Sequence, residues 1–284
     1  MDLKIVVERN VPFISAALRA AGITVTELAA GEIDRAAMAD ADALVTRTRT
    51  RCDASLLEGS RCTLVASATI GLDHVDVEWC RNAGIEVANA PGCNAPAVAQ
   101  YVISTLVAAF GSDLSGRTLG VVGVGHVGSI VSRWARQAGM EVLECDPPRQ
   151  RAEGGDFTDL AIVAARADAI TFHVPMTRVG EDATWHLADE RFFSLLRKQP
   201  LIINTARGPV VDNHALLAAL DSGLVGKAAI DCWEGEPKIS RELLRKAFVA
   251  TPHIAGYSAD GKANATRMSL DSICRFFHLG ATYE

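Results

Sequence analysis

The sequence predicts an α/β protein built from two Rossmann-like, doubly wound domains, each around a parallel sheet. Three observations support this fold class. Short apolar strands alternate with amphipathic helical segments, as in parallel strands that are joined by helices. The length of 284 residues approaches the size at which one hydrophobic core gives way to several domains. A glycine motif at residues 123–128 opens a second run of alternating elements.

The first domain follows from the alternation in the N-terminal part of the chain. Its helices are predicted at residues 11–21, 53–57 and 77–83, and glycines that commonly end helices follow the first and the last. A longer helix at residues 94–110 leads out of this domain. Strands are predicted for short apolar runs at residues 4–7, 23–28, 43–46, 64–66 and 85–88.

The second domain repeats the alternation from about residue 115 onward. Its first helix is predicted at residues 127–137, and a closing helix at 257–279 is expected to return to the first domain. The first domain is therefore expected to be discontinuous and flavodoxin-like, with residues 1–93 and 257–284, and the second to comprise residues 94–256. Strands of the second domain are predicted at residues 119–122, 141–144, 169–173, 201–204 and 228–230.

The most informative motif contains Gly123, Gly125 and Gly128 between an apolar strand and a helix. The first glycine permits a tight turn, the second lets the backbone approach a pyrophosphate, and the third lets the helix pack on its strand. The phosphates would then lie at the helix N-terminus, where free N–H groups favour negative charge. An ordinary glycine turn is the alternative interpretation. The motif predicts a dinucleotide-binding domain.

The next strand ends at Asp146, 18 residues after the last glycine of the motif, close to the usual spacing of the ribose-binding carboxylate. A carboxylate there favours NAD over NADP, because it repels a 2′-phosphate. Arg149 and Arg151 lie nearby and can soften this preference, but we interpret them as solvated loop charges. An ordinary strand-end aspartate is the alternative interpretation of Asp146.

Composition and charge exclude several other classes of protein. The hydrophobic fraction of 49% and the charged fraction of 22% are typical of a globular protein. A net charge of −6 argues against broad nucleic-acid binding. We find no secretory signal, and the most apolar helix is shorter than the ~20 residues that span a membrane. A cytoplasmic protein is therefore expected.

The seven cysteines are scattered along the chain. None forms a C-x-x-C pair, and none stands at zinc-binding spacing from histidines. The odd count and the wide scatter favour reduced, mostly buried thiols in the cytosol. No metal site is predicted.

Three polar patterns lie at or just after predicted strand ends, and they place Arg207, Glu236 and His253 where ligands bind in open α/β sheets. An arginine can pair with a carboxylate and polarise the adjacent oxygen of a 2-hydroxy acid. A histidine can take the hydroxyl proton as hydride leaves, and a glutamate can orient the imidazole and stabilise its protonated form. Each residue alone has a structural interpretation, but together, beside a dinucleotide motif, they predict hydride transfer.

These patterns make the chain resemble the D-isomer-specific 2-hydroxyacid dehydrogenases over nearly its whole length. Narrower motifs that begin at Pro91, Cys145 and Ala255 are similar to the subgroup that oxidises 4-phospho-D-erythronate in pyridoxal 5′-phosphate biosynthesis. The resemblance implies that Arg207, Glu236 and His253 are catalytic. The shared stretches are residues 66–76, 90–95, 123–128, 145–149, 204–213, 231–237 and 251–257.

The resemblance also implies binding residues. Substrate contacts are implied for Thr48, Thr69 and Tyr257. Charge alone makes Arg47 and Arg49 candidates for binding a phosphate. Strand alternation favours Arg47 over Arg49, for which a solvated surface charge is the equal alternative. Cofactor contacts are implied, in addition to the three glycines, for His126, Val127, Asp146, Val174 (often threonine in the subgroup), Ala206, Asp231 and Gly256.

The resemblance implies NAD-dependent oxidation of a small phosphorylated D-2-hydroxy acid by a homodimer that binds neither nucleic acid nor membrane. Two alternatives remain open: the same chemistry on 3-phosphoglycerate or an unphosphorylated acid, and a non-catalytic NAD(H)-binding redox sensor. The subgroup generally continues into a C-terminal dimerisation domain, whereas this sequence stops at Glu284. We therefore expect a protein that lacks this domain, with assembly through the helix at residues 94–110.

Overall fold

A computed structural model of the protein describes residues 3–279. The described residues divide into two compact units. The first unit contains residues 3–94 and 258–279, and the second unit is Ala95–Tyr257. Each unit is a parallel sheet covered by helices, in agreement with the predicted fold class, and the chain returns to the first unit at its end.

The sheet of the first unit is fully parallel, with the strand order β2-β1-β3-β4-β5. The strands are β1 (Lys4–Glu8), β2 (Thr24–Leu28), β3 (Ala43–Thr46), β4 (Leu64–Ser67) and β5 (Glu86–Ala88). Its helices are α1 (Ile14–Ala20), α2 (Arg35–Met38), α3 (Ala54–Leu57), α4 (Val77–Asn82) and, after the second unit, α12 (Ala259–Phe276).

Helix α12 completes the core of the first unit. Its Leu270 and Ile273 are buried in the same cluster as Ile5 and Val45 of the sheet. The helix begins later than predicted because Ser258 caps its N-terminus by accepting the Gly261 N–H, and it ends at Phe276. The predicted discontinuity of the first domain thus has a physical cause, since this face of the sheet needs a helix from the end of the chain.

Helix α1 begins at Ile14 rather than at the predicted residue 11. Phe13 precedes it with a left-handed backbone (φ 65°), and Pro12 comes just before that residue. A left-handed residue cannot continue a right-handed helix, so the helix starts one residue later.

The second unit has a six-stranded parallel sheet with the order β11-β10-β9-β8-β6-β7. The strands are β6 (Thr118–Val122), β7 (Glu141–Cys145), β8 (Ala169–Phe172), β9 (Leu201–Asn204), β10 (Lys227–Ile230) and β11 (Val249–Ala250). The helices are α5 (Ala95–Phe110), α6 (His126–Gln137), α7 (Pro147–Glu153), α8 (Leu160–Arg166), α9 (Glu190–Ser194), α10 (Asn213–Asp221) and α11 (Arg241–Lys246). The strand order reverses between β6 and β8, which creates a crevice at their carboxyl ends.

All seven cysteines are buried thiols, as predicted. Burial raises the pKa of the Cys62 thiol to about 12 and that of Cys145 to about 11, so both stay protonated near neutral pH. Within residues 3–279, no helix combines the length and the apolar character that a bilayer crossing requires.

Candidate active site

The glycine turn lies at the crevice between β6 and β8. Gly123 has a positive φ of 88°, and a Cβ there would lie 2.8 Å from the backbone of His173 and Val174. A Cβ on Gly128 would lie 2.0 Å from the Gly123 carbonyl oxygen. At Gly125, by contrast, a Cβ would meet nothing within 4 Å, and α6 starts here without a side-chain cap. The first and last glycines are therefore required by the fold, whereas the middle one leaves room for a pyrophosphate at the helix N-terminus.

Asp146 lies directly after β7, and its carboxylate hydrogen-bonds to the backbone of the glycine loop. One oxygen accepts the Val124 N–H at 2.8 Å, and the other accepts the Arg149 N–H at 3.1 Å as the cap of α7. The interpretation of Arg149 as a solvated loop charge is wrong, because it lies in α7 and donates to the Val124 carbonyl at 2.6 Å. Arg151 also lies in α7, where it pairs with Glu181 and Asp182. The region is helical because prolines at the first helical positions are well tolerated.

The other predicted cofactor contacts follow strand ends at the same edge of the second sheet. His126 is exposed and Val127 half-buried in the first turn of α6, and Val174 follows β8 beside the glycine turn. Ala206 is buried after β9, and Gly256 is half-buried in the segment after β11. The edge thus gathers them in one sheet of one unit, while their contacts with NAD stay a prediction.

His173 follows β8 at the crevice and was not among the predicted site residues. Its Nε2 lies 3.0 Å from the Thr171 hydroxyl, and its Nδ1 lies 3.4 Å from the Thr205 hydroxyl. Burial lowers the pKa of His173 to about 3, so the ring is neutral at physiological pH. The sequence carried one signal, a histidine directly after a buried strand of the dinucleotide-binding domain.

Arg207 lies in the loop after β9, which packs against the loop after β10. The side chain of Asn204 donates to the carbonyl of Arg207 at 3.0 Å and to that of Cys232 at 3.3 Å. A Cβ on Gly208 would lie 2.0 Å from the carbonyl oxygen of Trp233. These contacts fix the backbone of Arg207 relative to the loop that carries Glu236.

Glu236 and His253 form a hydrogen-bonded pair, with Oε2 of the glutamate 3.0 Å from Nδ1 of the imidazole. The other glutamate oxygen accepts the Trp233 N–H at 2.6 Å, which holds the carboxylate in place. The His253 side chain is 46% exposed. With Nδ1 engaged, the Nε2 atom is the one that can exchange a proton with a ligand.

Asp231 organises the turn that carries His253. This carboxylate is only 1% exposed, and it accepts the Thr251 hydroxyl at 2.6 Å, the Ile254 N–H at 2.7 Å and the Ala255 N–H at 2.9 Å. The Asp231 carbonyl also accepts the His253 N–H at 2.8 Å. These bonds hold His253 in a left-handed backbone conformation, with φ of 56°. The contact of Asp231 with the cofactor stays a prediction; its bonds to the turn are what the structure establishes.

Thr251 and Tyr101 extend this network, and sequence reasoning missed both. The Tyr101 hydroxyl lies 2.8 Å from the Thr251 hydroxyl, and the Trp233 indole N–H donates to the Thr251 carbonyl at 2.9 Å. Burial raises the pKa of Tyr101, so its hydroxyl stays protonated and can donate. No local signal in the sequence links Tyr101 to a residue 150 positions away.

His186 lies between two carboxylates in a second cluster of the second unit. Its Nε2 is 2.7 Å from a Glu234 oxygen, and its Nδ1 is 3.4 Å from an Asp212 oxygen. These three side chains bring metal-ligand atoms within 4.8 Å of one another. Glu234 also accepts the Asn213 N–H, and Asp212 caps α10. Because each carboxylate already has backbone partners, we interpret the cluster as a link between α10 and the loop after β10.

The candidate substrate residues of the first unit follow its strand ends. Arg47 is half-buried after β3, whereas Thr48 and Arg49 are exposed, and Thr69 is half-buried after β4. The strand alternation used to choose between the two arginines is wrong, because residues 47 and 49 would share one face of a strand. In addition, β3 ends at Thr46 and the chain then bends. Tyr257 belongs to the second unit, where it is 64% exposed.

Comparison with known proteins gives the family. Residues 98–255 match the family model of the D-isomer specific 2-hydroxyacid dehydrogenase, NAD binding domain. The chain therefore belongs to the D-isomer-specific 2-hydroxyacid dehydrogenases, a family of NAD-dependent enzymes, and NAD is its cofactor. The family resemblance, the enzyme class and the NAD cofactor predicted from the sequence are thereby confirmed.

Similarity to individual relatives narrows the comparison within this family. The chain is 51% identical to a Bacteroides thetaiotaomicron protein named erythronate-4-phosphate dehydrogenase, over 99% of this chain and 82% of that protein. A protein of the same name from Pseudomonas syringae pv. syringae is 43% identical, over 99% and 75% of the two chains. The crystal structure of NAD⁺-bound 3-phosphoglycerate dehydrogenase from Entamoeba histolytica has a TM-score of 0.83 at 25% identity. The match covers 99% of this chain and 97% of that chain.

Proposed function

We propose that this dehydrogenase oxidises 4-phospho-D-erythronate to 2-oxo-3-hydroxy-4-phosphobutanoate with NAD, as a step of pyridoxal 5′-phosphate biosynthesis. The observation that carries the chemistry is the Glu236–His253 pair, 3.0 Å apart, in the NAD-binding domain. The choice of substrate is supported by the names of the relatives at 43–51% identity. The aligned length, 99% of this chain in both matches, includes the segments that we propose bind the substrate.

His253 is the proton acceptor in this proposal. Its Nε2 removes the proton of the C2 hydroxyl while the C2 hydrogen leaves as hydride, and the C2–O bond becomes a carbonyl. Bound NAD supplies the hydride acceptor. Glu236 holds Nδ1 protonated and stabilises the positive charge that develops on the imidazole. In the reverse direction, the same histidine returns the proton to the carbonyl oxygen.

Arg207 binds the substrate carboxylate in this proposal. Its planar guanidinium can make two parallel hydrogen bonds to a carboxylate and polarise the neighbouring C2 oxygen. The close packing of Gly208 against Trp233 supports this role, because it holds Arg207 in a defined position relative to the loop of Glu236.

The remaining ligand contacts are proposed as follows. The backbone at Gly123, Gly125 and Gly128 receives the pyrophosphate, and Asp146 accepts the hydroxyls of the adenosine ribose. The side chains of Arg47, Thr48, Thr69 and Tyr257 contact the substrate, with Arg47 at its phosphate. The other cofactor contacts are assigned to His126, Val127, Val174, Ala206, Asp231 and Gly256.

The decisive experiment follows NADH absorbance with 4-phospho-D-erythronate, 3-phospho-D-glycerate and D-lactate in parallel. Each matching 2-oxo acid is also reduced with NADH, because equilibrium can disfavour oxidation. Preference for the four-carbon phosphate supports the proposal, whereas turnover of another acid keeps the mechanism and rejects the substrate. His253→Ala serves as the control. It should abolish turnover and leave NAD binding intact, and a redox sensor would show neither turnover nor dependence on this imidazole.

We also propose a cytoplasmic homodimer. Seven buried thiols fit a reducing compartment. Helix α5 carries the exposed Val107 and the partly buried Ile103 and Phe110, which offer apolar surface for a second copy. A monomer mass in light scattering at micromolar concentration would contradict the homodimer.

A further inference from the structure

Glu8 is a buried carboxylate that the proposed reaction does not use. It ends β1 and is only 1% exposed. Its Oε2 atom accepts the Thr46 hydroxyl at 2.8 Å, the Thr50 hydroxyl at 2.9 Å and the Arg47 N–H at 3.1 Å. All three donors come from one segment of five residues, which we call the 46–50 loop. The carboxylate thus binds a single loop at three points.

These bonds determine which side chains of the 46–50 loop face the solvent. Thr46 and Thr50 are turned inward and buried, at 0% and 3% exposure. Between them, Arg47 is half-buried, and Thr48 and Arg49 are exposed. The backbone N–H of Arg47 bonds to Glu8, and the side chains of Arg47, Thr48 and Arg49 are the ones that can meet a ligand.

We propose that Glu8 is a positioning residue that holds the 46–50 loop in the conformation that binds the phosphorylated end of the substrate. This inference rests on the proposed function, in which Arg47 and Thr48 contact that substrate. A buried carboxylate needs hydrogen-bond donors. If the loop moved away from Glu8, both the carboxylate and its three donors would lose their hydrogen-bond partners. The loop conformation and the buried charge therefore stabilise each other before any substrate arrives.

Three variants test the role of Glu8. Glu8→Ala leaves three donors without their acceptor, and Glu8→Gln restores one acceptor oxygen of similar size. Glu27→Ala is the matched control, because it removes a carboxylate from the neighbouring strand β2, where Glu27 is exposed and pairs with Val7. Thr50→Val is a milder probe that removes one donor and keeps the volume and the charge.

The first readout is kinetic. Glu8→Ala should raise the KM for the phosphorylated acid at least about tenfold, change kcat less than about threefold and leave the Kd for NAD unchanged. Glu8→Gln should recover much of this loss, Thr50→Val should show a smaller increase in KM, and Glu27→Ala should behave like the wild type. An unchanged KM in Glu8→Ala, or equal losses of substrate and NAD affinity, would overturn the inference.

The second readout does not depend on turnover. Trypsin cleaves after arginine, and the 46–50 loop contains Arg47 and Arg49, followed by Arg51. Cleavage at these positions, followed by mass spectrometry, should accelerate in Glu8→Ala and return toward the wild-type rate in Glu8→Gln. If the wild type oxidises none of the acids, the proposed function fails. The cleavage rates still test whether Glu8 holds the 46–50 loop. Equal cleavage rates in all variants would refute it.

Discussion

His173 should make the second unit less stable in mild acid. Burial lowers the pKa of His173 from 6.5 to about 3 in the folded protein. Above about pH 6.5, the ring is neutral in both the folded and the unfolded states, and it makes no contribution to pH dependence. As the pH falls below this value, the unfolded chain binds a proton and the folded protein does not. The free energy of unfolding therefore decreases as the pH falls from about 6.5 toward 3.

The size of this effect follows from the two pKa values. The linkage relation gives a loss of about 1.4 kcal/mol at about pH 5.5 and about 2.7 kcal/mol at about pH 4.5, relative to pH 8. These free-energy losses come from His173 alone. They are therefore measured as the difference in pH dependence between the wild type and a variant that cannot bind this proton. His173→Gln is suitable, because its amide can still bond one of the hydroxyls at Thr171 and Thr205.

The assay is urea denaturation of the wild type and His173→Gln at pH 8 and at about pH 5.5. Between these two conditions, the wild type should lose about 1.4 kcal/mol more than the variant. His214→Gln is the control, since His214 is exposed on α10, and it should lose as much as the wild type. Parallel losses in the wild type and His173→Gln would refute the reasoning, because the imidazole would then titrate alike in both states.

Three further outcomes are expected. Gly123→Ala should weaken NAD binding at least about tenfold in calorimetry, because a Cβ at φ 88° meets the neighbouring backbone at 2.8 Å, and an unchanged Kd would contradict this. Glu236→Gln should lower kcat at least about 100-fold with an unchanged NAD Kd, since a neutral amide cannot stabilise a protonated His253. A kcat near the wild-type value would show that the glutamate only orients the ring. Thr251→Val should destabilise the protein by about 1–3 kcal/mol in denaturation experiments, whereas Thr251→Ser, which keeps the bond to Asp231, should not.

Elements with strong local patterns were predicted well from the sequence. Strands β3 and β9 have the predicted bounds, and both are fully buried runs that are apolar except for their last residue. Helix α5 begins one residue after its predicted start. Here hydrophobic burial and local propensity favour the same structure, so the pattern alone is sufficient.

Predictions failed where a local pattern had two structural solutions. The preference for Arg47 over Arg49 assumes strand geometry after Thr46, but β3 ends there and the following segment is a loop bonded to the buried carboxylate of Glu8. The sequence interpretation makes Arg149 and Arg151 loop charges, but both lie in α7, whose first turn contains two prolines. In both cases a distant or capping partner decided between the solutions.

The candidate site also has features that the sequence predicts and features that it does not. Arg207, Glu236 and His253 follow strand ends, and this placement is visible in the sequence. The bonds that hold them are not visible, because Thr251 meets Asp231 across 20 positions and Glu8 meets Thr50 across 42. Pairings of this kind depend on how the sheet is assembled, and a single sequence contains no periodic signal for them.

The proposed proton-transfer pair, Glu236 and His253, and the buried carboxylate of Asp231 all belong to the second unit. The 46–50 loop, in contrast, belongs to the first unit, where Glu8 holds it. If the proposed function holds, substrate range can be redesigned, or can diverge during evolution, through a few codons of this loop without changing Glu236 or His253. A library that varies Arg47, Thr48 and Arg49 while keeping Glu8, Thr46 and Thr50 is the natural starting point for such redesign.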